Sequence, residues 1–354
     1  MGSRIGALKN LFASKNLDGY LVTGEKNLQY STDFLGGSML LVPSEGDSIL
    51  FVYGVNYEAA KEEARDVHVE LVKTGENLDQ MISERIGRLG LRHVGFDSLK
   101  VSTYLKMRSL LKETELETAD DLVWSLRRVK DETELRLIKS AANLTSRGMR
   151  KAAKILEAGL TEREVAAEVE YEMRKAGSEG VAFESIVSSG PDSAFPHGGR
   201  GEREIGKGEF VVIDIGAKVR GYCADLTRTF VIGEPSSKQA EIYRIVKEAQ
   251  NLAVNKIHAG IGAKEVDGVA REYIAKIGYG EYFVHSLGHG VGLEVHEPPA
   301  LGSTSKDVLA AGNVVTVEPG VYIPKFGGVR IEDTVLVLDK GAEKLTKAPV
   351  SLTS

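Results

Sequence analysis

The sequence predicts a small α/β domain over residues 1–123 followed by a larger α+β domain over residues 130–354. Three patterns predict it. Short β-rich runs alternate with helical stretches through the first part of the chain. A charged junction, Arg127-Arg128-Val129-Lys130-Asp131-Glu132, closes that part. Beyond it, capping boxes open long amphipathic helices that alternate with strand-like runs.

In chain order, the β-rich runs are 19–23, 39–42, 49–53, 67–72 and 93–96, with helical patterns at 56–65, 78–89 and 103–111. No metal-type cluster occurs among them. A scaffold or dimerisation domain is expected there, and with it a homodimer. Asp131 with Glu134 forms a capping box for a helix over 132–157, where Leu135, Ile138, Ala142, Met149, Ala153 and Leu156 keep helical spacing. Thr161 with Glu164 opens a helix through Met173, Ser236 with Gln239 opens one to about Ile257, and 264–277 is a further amphipathic helix. Strand-like runs lie at 210–215, 227–232, 314–317 and 329–338. No repeat stands out at the 20–50-residue periods of solenoids.

Composition narrows the function classes. Hydrophobic residues make up 42% and charged residues 27% of the 354, an ordinary globular profile. The net charge of −6 offers no basic surface for nucleic acid. One cysteine, Cys223, forms no internal disulfide and fits a reducing compartment. It is expected to be a small, partly buried residue beside Tyr222. The N-terminus lacks the apolar core of a signal peptide, and Gly6 stands where myristoylation needs Ser or Thr. No apolar run approaches the ~18 residues of a membrane span. A cytoplasmic protein with no membrane or nucleic-acid partner is expected.

Five residues carry the chemistry: Asp214 in Val-Ile-Asp-Ile-Gly, Asp225 in Cys-Ala-Asp-Leu-Thr, His289 in Leu-Gly-His-Gly-Val, Glu318 in Thr-Val-Glu-Pro-Gly and Glu332 in Arg-Ile-Glu-Asp. Four carboxylates and an imidazole, without a thiolate, suit Mn, Co, Fe or Zn better than a thiolate-bound structural zinc. Four carboxylates in one pocket repel unless cations hold them, and two divalent ions carry +4 against their −4. A dinuclear site able to acidify a shared water is expected. Asp225 follows Asp214 by 225 − 214 = 11 residues, which fits adjacent antiparallel strands with a turn at 218–221 and both carboxylates on one face. Glu332 falls within the run 329–338, so a sheet carries most of the site. Taken singly, each acid has a plainer alternative: a strand-end cap for Asp214, a turn residue for Glu318, an ion-pair partner of Arg330 for Glu332.

Four of the seven histidines cluster near these motifs: His197, His285, His289 and His296. The glycines flanking His289 are expected to let the backbone approach a ligand closely. Other motifs fail. The stretch 201–208 lacks the final Ser or Thr of a phosphate loop and leads into a strand, Gly260-Ile261-Gly262 lacks a third glycine, and His296-Glu297 lacks the second histidine of a zincin helix.

Together, Asp214-Ile-Gly, Gly221-Tyr-Cys-Ala-Asp225-Leu-Thr-Arg-Thr, Gly288-His289-Gly-Val-Gly-Leu-Glu-Val-His296-Glu, Val317-Glu318-Pro-Gly and Gly327-Gly-Val-Arg330-Ile-Glu332-Asp resemble the pita-bread metallopeptidases. This is the family of methionine aminopeptidase, aminopeptidase P and prolidase. The resemblance runs from about Arg128 to the end. The two-domain layout and the Gly-Tyr and Thr-Arg-Thr flanks of Asp225 are closer to aminopeptidase P and prolidase. It implies a pita-bread catalytic domain with two divalent ions per subunit, Mn, Co or Zn. Asp214 would chelate one ion, His289 and Glu318 the other, and Asp225 and Glu332 would bridge both. Glu318 would also act as general base, with His197 and His296 flanking the scissile bond. His285 would line the substrate pocket, Arg330 would orient a carboxylate, and Leu293, Val295 and Tyr322 would shape an apolar proline pocket. The implied activity is hydrolysis of the N-terminal Xaa-Pro bond of short proline-containing peptides. A methionine aminopeptidase and a metal-free binding scaffold are the alternatives. Similar prolidases carry an arginine where this chain has Ala300, so peptides longer than two residues are expected to be preferred over dipeptides.

Overall fold

The structure, a computed structural model, describes residues 3–199 and 201–353. The myristoylation reading at Met1-Gly2 lies outside the described residues. The chain divides into two compact units, Met1–Arg127 and Arg128–Ser354.

The first unit is built on strands β1 (Gly19–Val22), β2 (Met39–Pro43), β3 (Ile49–Tyr53), β4 (His68–Val72), β5 (His93–Phe96) and β6 (Glu115–Thr118), in the order β4-β3-β2-β1-β5-β6. β1–β2 and β2–β3 pair antiparallel, and the other neighbours pair parallel. Its helices are α1 (Arg4–Leu11), α2 (Glu25–Thr32), α3 (Gly54–Glu63), α4 (Leu78–Leu89), α5 (Val101–Leu110) and α6 (Asp120–Arg128). Elements without an apolar pattern escaped the sequence reading. β6 buries only Leu116, and α2 buries Gln29, Ser31 and Thr32 beside Leu28 and Tyr30.

The second unit contains one arrangement twice. In the first copy, α7 (Glu132–Ile155) and α8 (Glu162–Lys175) share a core with the sheet β12-β9-β8. In chain order that region holds β7 (Gly180–Val181), β8 (Ile186–Ser189), β9 (Phe210–Ile215), β10 (Ala217–Val219), β11 (Tyr222–Cys223) and β12 (Leu226–Val231). In the second copy, α9 (Ser237–Lys256) and α10 (Ala263–Lys276) share a core with a sheet centred on β15. Its strands are β13 (Gly288–Gly290), β14 (Glu297–Leu301), β15 (Val314–Val317), β16 (Gly320–Ile323), β17 (Gly327–Arg330), β18 (Asp333–Val337) and β19 (Ala342–Lys344), of which β16 and β17 form a separate hairpin. The duplication is visible in sequence once the fold is known. Ala158-Gly-Leu-Thr-Glu-Arg-Glu-Val165 aligns with Ala259-Gly-Ile-Gly-Ala-Lys-Glu-Val266 at an offset of 259 − 158 = 101 residues. Both octets lead into a helix with glutamate at its third position turned back onto the cap, and Gly159 and Gly260 both take positive φ, 97° and 89°. The predicted capping boxes at Asp131, Thr161 and Ser236 all form.

Two local expectations need correction. The run 329–338 is not one strand. β17 pairs with β16 and β18 with β15, and the chain changes partners across Ile331 and Glu332. The uninterrupted β-rich sequence carries no turn residue to signal that break. The link from Asp214 to Asp225 is also more than a turn. β9 and β12 do pair antiparallel, with Asp214 opposite Thr227, but the intervening β10–β11 hairpin joins β7 in a different sheet.

Candidate metal centre

The two copies bring their acids together. Asp214 lies in β9 and Asp225 just before β12. Glu318 follows β15 and Glu332 precedes β18. Asp225, His289 and Glu332 each bring a ligand-type atom within 4.8 Å of the others. His289 Nε2 lies 3.2 Å from Glu318 Oε1 and 3.7 Å from Asp225 Oδ2. Asp214 faces the same cleft as Asp225, His289 and Glu318. Its Oδ2 accepts a 2.6 Å hydrogen bond from Arg330 Nη2.

Three threonines, given no role by the sequence motifs, hold the set in place. Thr227 Oγ1 donates to Glu332 Oε2 at 2.7 Å, and Thr334 Oγ1 donates to the Asp225 carbonyl at 2.7 Å. Each copy thus supports the acid of the other. Thr316 Oγ1 donates to Glu318 Oε1 at 3.1 Å and accepts from the His289 backbone N–H at 3.0 Å. Each threonine stands two residues from an acid along an extended strand, at 225/227, 316/318 and 332/334. That same-face spacing was the available signal. Thr227→Val removes the bond to Glu332 at nearly constant volume. It is expected to weaken metal affinity about 10–100-fold, the usual scale for a group orienting a ligand, as read by chelator competition.

Arg330 ties the surroundings together. Besides Asp214, it donates to Tyr322 Oη at 2.8 Å, Thr227 Oγ1 at 3.1 Å and the Pro196 carbonyl, beside His197, at 3.1 Å. His285 Nε2 reaches the same Tyr322 Oη at 3.0 Å. His285, Tyr322 and Arg330 therefore form one chain ending on Asp214. His285 lines the cleft, as do His197 and His296, and the His289 and His296 rings lie 4.2 Å apart. Leu293, Val295 and Tyr322, expected to shape an apolar pocket, are not among the residues lining the cleft, whose larger apolar side chains are Phe183, Ile186, Val187 and Pro196. Leu293 and Tyr322 are buried behind it. The glycines beside His289 also serve another purpose. A Cβ on Gly288 would collide with the Thr316 carbonyl oxygen, and one on Gly290 with the Pro298 carbonyl oxygen. They admit the neighbouring strands, and Gly288 also lines the cleft.

The donor set fits divalent metal. Oδ1 of Asp214 and Oδ1 of Asp225 are buried without a hydrogen-bond partner, a costly condition that a cation would relieve. Burial, then the charges of Glu332, Asp214 and Glu318, push the Asp225 carboxyl well above the usual range. Burial, then Glu318 and Asp214, do the same to Glu332. Burial is the largest single influence and opposes the charges on Glu318 and His289, yet their mutual hydrogen bond and the neighbouring charges together outweigh it, lowering Glu318 and raising His289. Acids that must hold protons against one another are acids that a cation can displace protons from. His289 Nδ1 lies 3.1 Å from the Gly290 carbonyl, leaving Nε2 to face the acids.

The sequence and the fold have known counterparts. Residues 136–339 match the model of metallopeptidase family M24, and residues 4–129 that of the creatinase/prolidase N-terminal domain. The chain belongs to metallopeptidase family M24. As a member of that family it is a metal-dependent hydrolase with a pita-bread catalytic domain behind a creatinase-type N-terminal domain. It is 42% identical to the Xaa-Pro dipeptidase of Pyrococcus furiosus over 349 residues, 98% of either chain. Among solved structures it resembles an Xaa-Pro dipeptidase from Bacillus anthracis, with TM-score 0.93 and 39% identity over 99% of this chain and 98% of that one. It also resembles an X-Pro aminopeptidase from Thermotoga maritima, with TM-score 0.88 and 37% identity over 96% and 97%. No described helix of this family M24 member is long and apolar enough to cross a membrane.

Proposed function

We propose that this chain is an exopeptidase that hydrolyses the N-terminal Xaa-Pro bond of peptides. In this reading it resembles aminopeptidase P in preferring substrates longer than two residues and also cleaves Xaa-Pro dipeptides. The observation that carries the reading is the convergence of Asp214, Asp225, His289, Glu318 and Glu332, from both copies of the repeat, around two unpaired carboxylate oxygens. The names of the relatives support proline as the second residue. Ala300 lines the cleft where a dipeptide's carboxylate would need a cation, which favours a continuing chain over a free carboxylate.

In this reading Asp214, Asp225, His289, Glu318 and Glu332 would hold two divalent ions, Mn, Co or Zn, with Asp214 serving one, His289 and Glu318 the other, and Asp225 and Glu332 placed to serve both. When bound, the ions supply Lewis acidity to the scissile carbonyl and to the attacking water. Glu318 takes the proton of that water and passes it towards the leaving nitrogen, which in proline is a secondary amine that departs badly unprotonated. His197 and His296 stand on the cleft wall, free to donate to the carbonyl oxygen as charge develops there. Arg330 keeps Asp214 oriented through its hydrogen bond and fixes the His197 loop through Pro196. A cytoplasmic homodimer completes the proposal, with light scattering and cell fractionation as its checks.

His296→Ala is expected to keep its bound metal while kcat falls about 10²-fold or more, the scale of a positioned proton donor. Metal loss in step with activity would place His296 among the ligands instead. The substrate assignment is tested with Ala-Pro, Ala-Pro-Ala and Met-Ala-Ala. Turnover of the two proline peptides with Ala-Pro-Ala preferred is expected. Selective turnover of Met-Ala-Ala would make the chain a methionine aminopeptidase. An advantage of tenfold or more for Ala-Pro would reverse the length preference.

A further inference from the structure

The cleft holding these residues has a volume of about 960 Å³, near the upper end of the roughly 300–1,000 Å³ usual for small-ligand sites. The metal-type residues occupy only part of it. Ile186 lies opposite Asp214 in the sheet, and Ser189, three residues along β8, bonds to Glu162 in the first turn of α8. That turn therefore lies roughly 10 Å from Asp214 along the strand. From there the cleft wall continues over the outward face of α8, Arg163, Ala166, Ala167 and Glu170, while Val165, Val169 and Met173 face the core. The two alanines keep that wall low.

The arm contains polar groups with nothing to bind. Glu162 is 1% exposed; its Oε1 accepts from the Ser189 backbone N–H at 2.6 Å and hydroxyl at 2.8 Å, but its Oε2 has no partner. Ser185 Oγ, also on the cleft wall, is buried and unbonded. Leaving such groups unpaired is costly unless a ligand completes them. Arg163 reaches Glu202 at 3.4 Å with both side chains about 70% exposed (68% and 73%), a weak pair that a bound carboxylate can replace.

An enzyme that removes a single N-terminal residue places only that residue on the amino side of the scissile bond. Any additional length of cleft serves the carboxyl side. We infer that this arm is a subsite for the peptide chain beyond proline. Arg163 meets the C-terminal carboxylate of a tri- or tetrapeptide, Glu162 Oε2 accepts a backbone N–H, and Ser185 Oγ bonds a backbone group. The inference rests on the Xaa-Pro reading above and names the residues that set its length preference.

Arg163→Glu and Ala167→Leu both alter exposed positions on α8, and Ala167→Leu fills the arm. In the Mn²⁺-loaded protein, each is expected to lower the ratio of kcat/KM for Ala-Pro-Ala-Ala over Ala-Pro about tenfold. Calorimetry gives a readout independent of turnover. The product peptide Pro-Ala-Ala should bind about tenfold more tightly than its C-terminal amide, and Arg163→Glu should erase that difference. An unchanged ratio in both variants, or equal binding of acid and amide by the unmodified protein, overturns the subsite. If no Xaa-Pro peptide is cleaved at all, the parent reading fails, and the calorimetry still decides whether the arm binds a peptide carboxylate.

Discussion

Asp225→Asn and Glu332→Gln should each lose bound metal and about 10³-fold or more of activity, the scale of the several kcal/mol that metal ions contribute to such reactions. The two positions are equivalent in the repeat, each preceding the strand that carries a supporting threonine, Thr227 or Thr334. Both carboxyls are pushed up by burial and by the other acids, so neither is stabilised as an anion by the protein alone. An amide of the same shape removes the charge that a shared cation requires and leaves the fold's packing unchanged. Metal content by mass spectrometry and turnover of Ala-Pro-Ala, measured on the same samples, check the expectation. Full metal content in either variant would remove that residue from the ligand set.

Arg228→Met should cost about 3–5 kcal/mol of stability, the usual result of deleting one partner of a buried ion pair. Arg228 is 1% exposed and donates to Asp333 Oδ1 at 2.8 Å. It also donates to the carbonyls of Thr227 at 2.9 Å, Pro349 at 3.1 Å and Ala348 at 3.2 Å, and to that of Glu332. One side chain thus ties the strands that follow Asp225 and Glu332 to the C-terminal segment. Methionine fills the space but takes the guanidinium donors away from the carbonyls of Pro349, Ala348 and Glu332, while the Thr227 carbonyl keeps the Glu332 N–H and Asp333 Oδ1 keeps Thr346 Oγ1. Asp333 keeps Lys344 at 2.8 Å and Gln250 at 2.8 Å, so the loss is partial. Thermal unfolding of chelated protein should show a Tm lower by roughly 6–20 °C, given roughly 2–4 °C per kcal/mol for a unit of this size. A shift under 2 °C would mean that the network relaxes onto Lys344 and water.

The sequence showed what periodicity and local chemistry can show. The three Ser, Thr or Asp caps with Glu or Gln three residues on marked helix starts that do form. The acids and His289 could be singled out because together they match one pattern, although each acid alone has a plainer use. What was missed depended on partners distant in sequence. No local pattern tells Glu332 that the chain changes sheets there, since Val-Arg-Ile-Glu-Asp-Thr-Val is β-rich throughout. The flanks of His289 read as ligand-facing, but the strand crowding that requires glycine comes from Thr316 and Pro298. The duplication escaped because its period, about 100 residues, far exceeds that of a solenoid. The threonines were within reach: a Thr two residues from Asp225, Glu318 or Glu332 along extended chain shares its face.

The central claim is that these five residues bind two divalent ions on which peptide hydrolysis depends. Its most direct test is a titration of Mn²⁺ into chelator-stripped protein, with bound metal and Ala-Pro-Ala turnover read at each step. Turnover absent at the start and rising to saturation as two ions per chain are taken up is the predicted result. Full turnover in the stripped protein, with no metal bound, would contradict it.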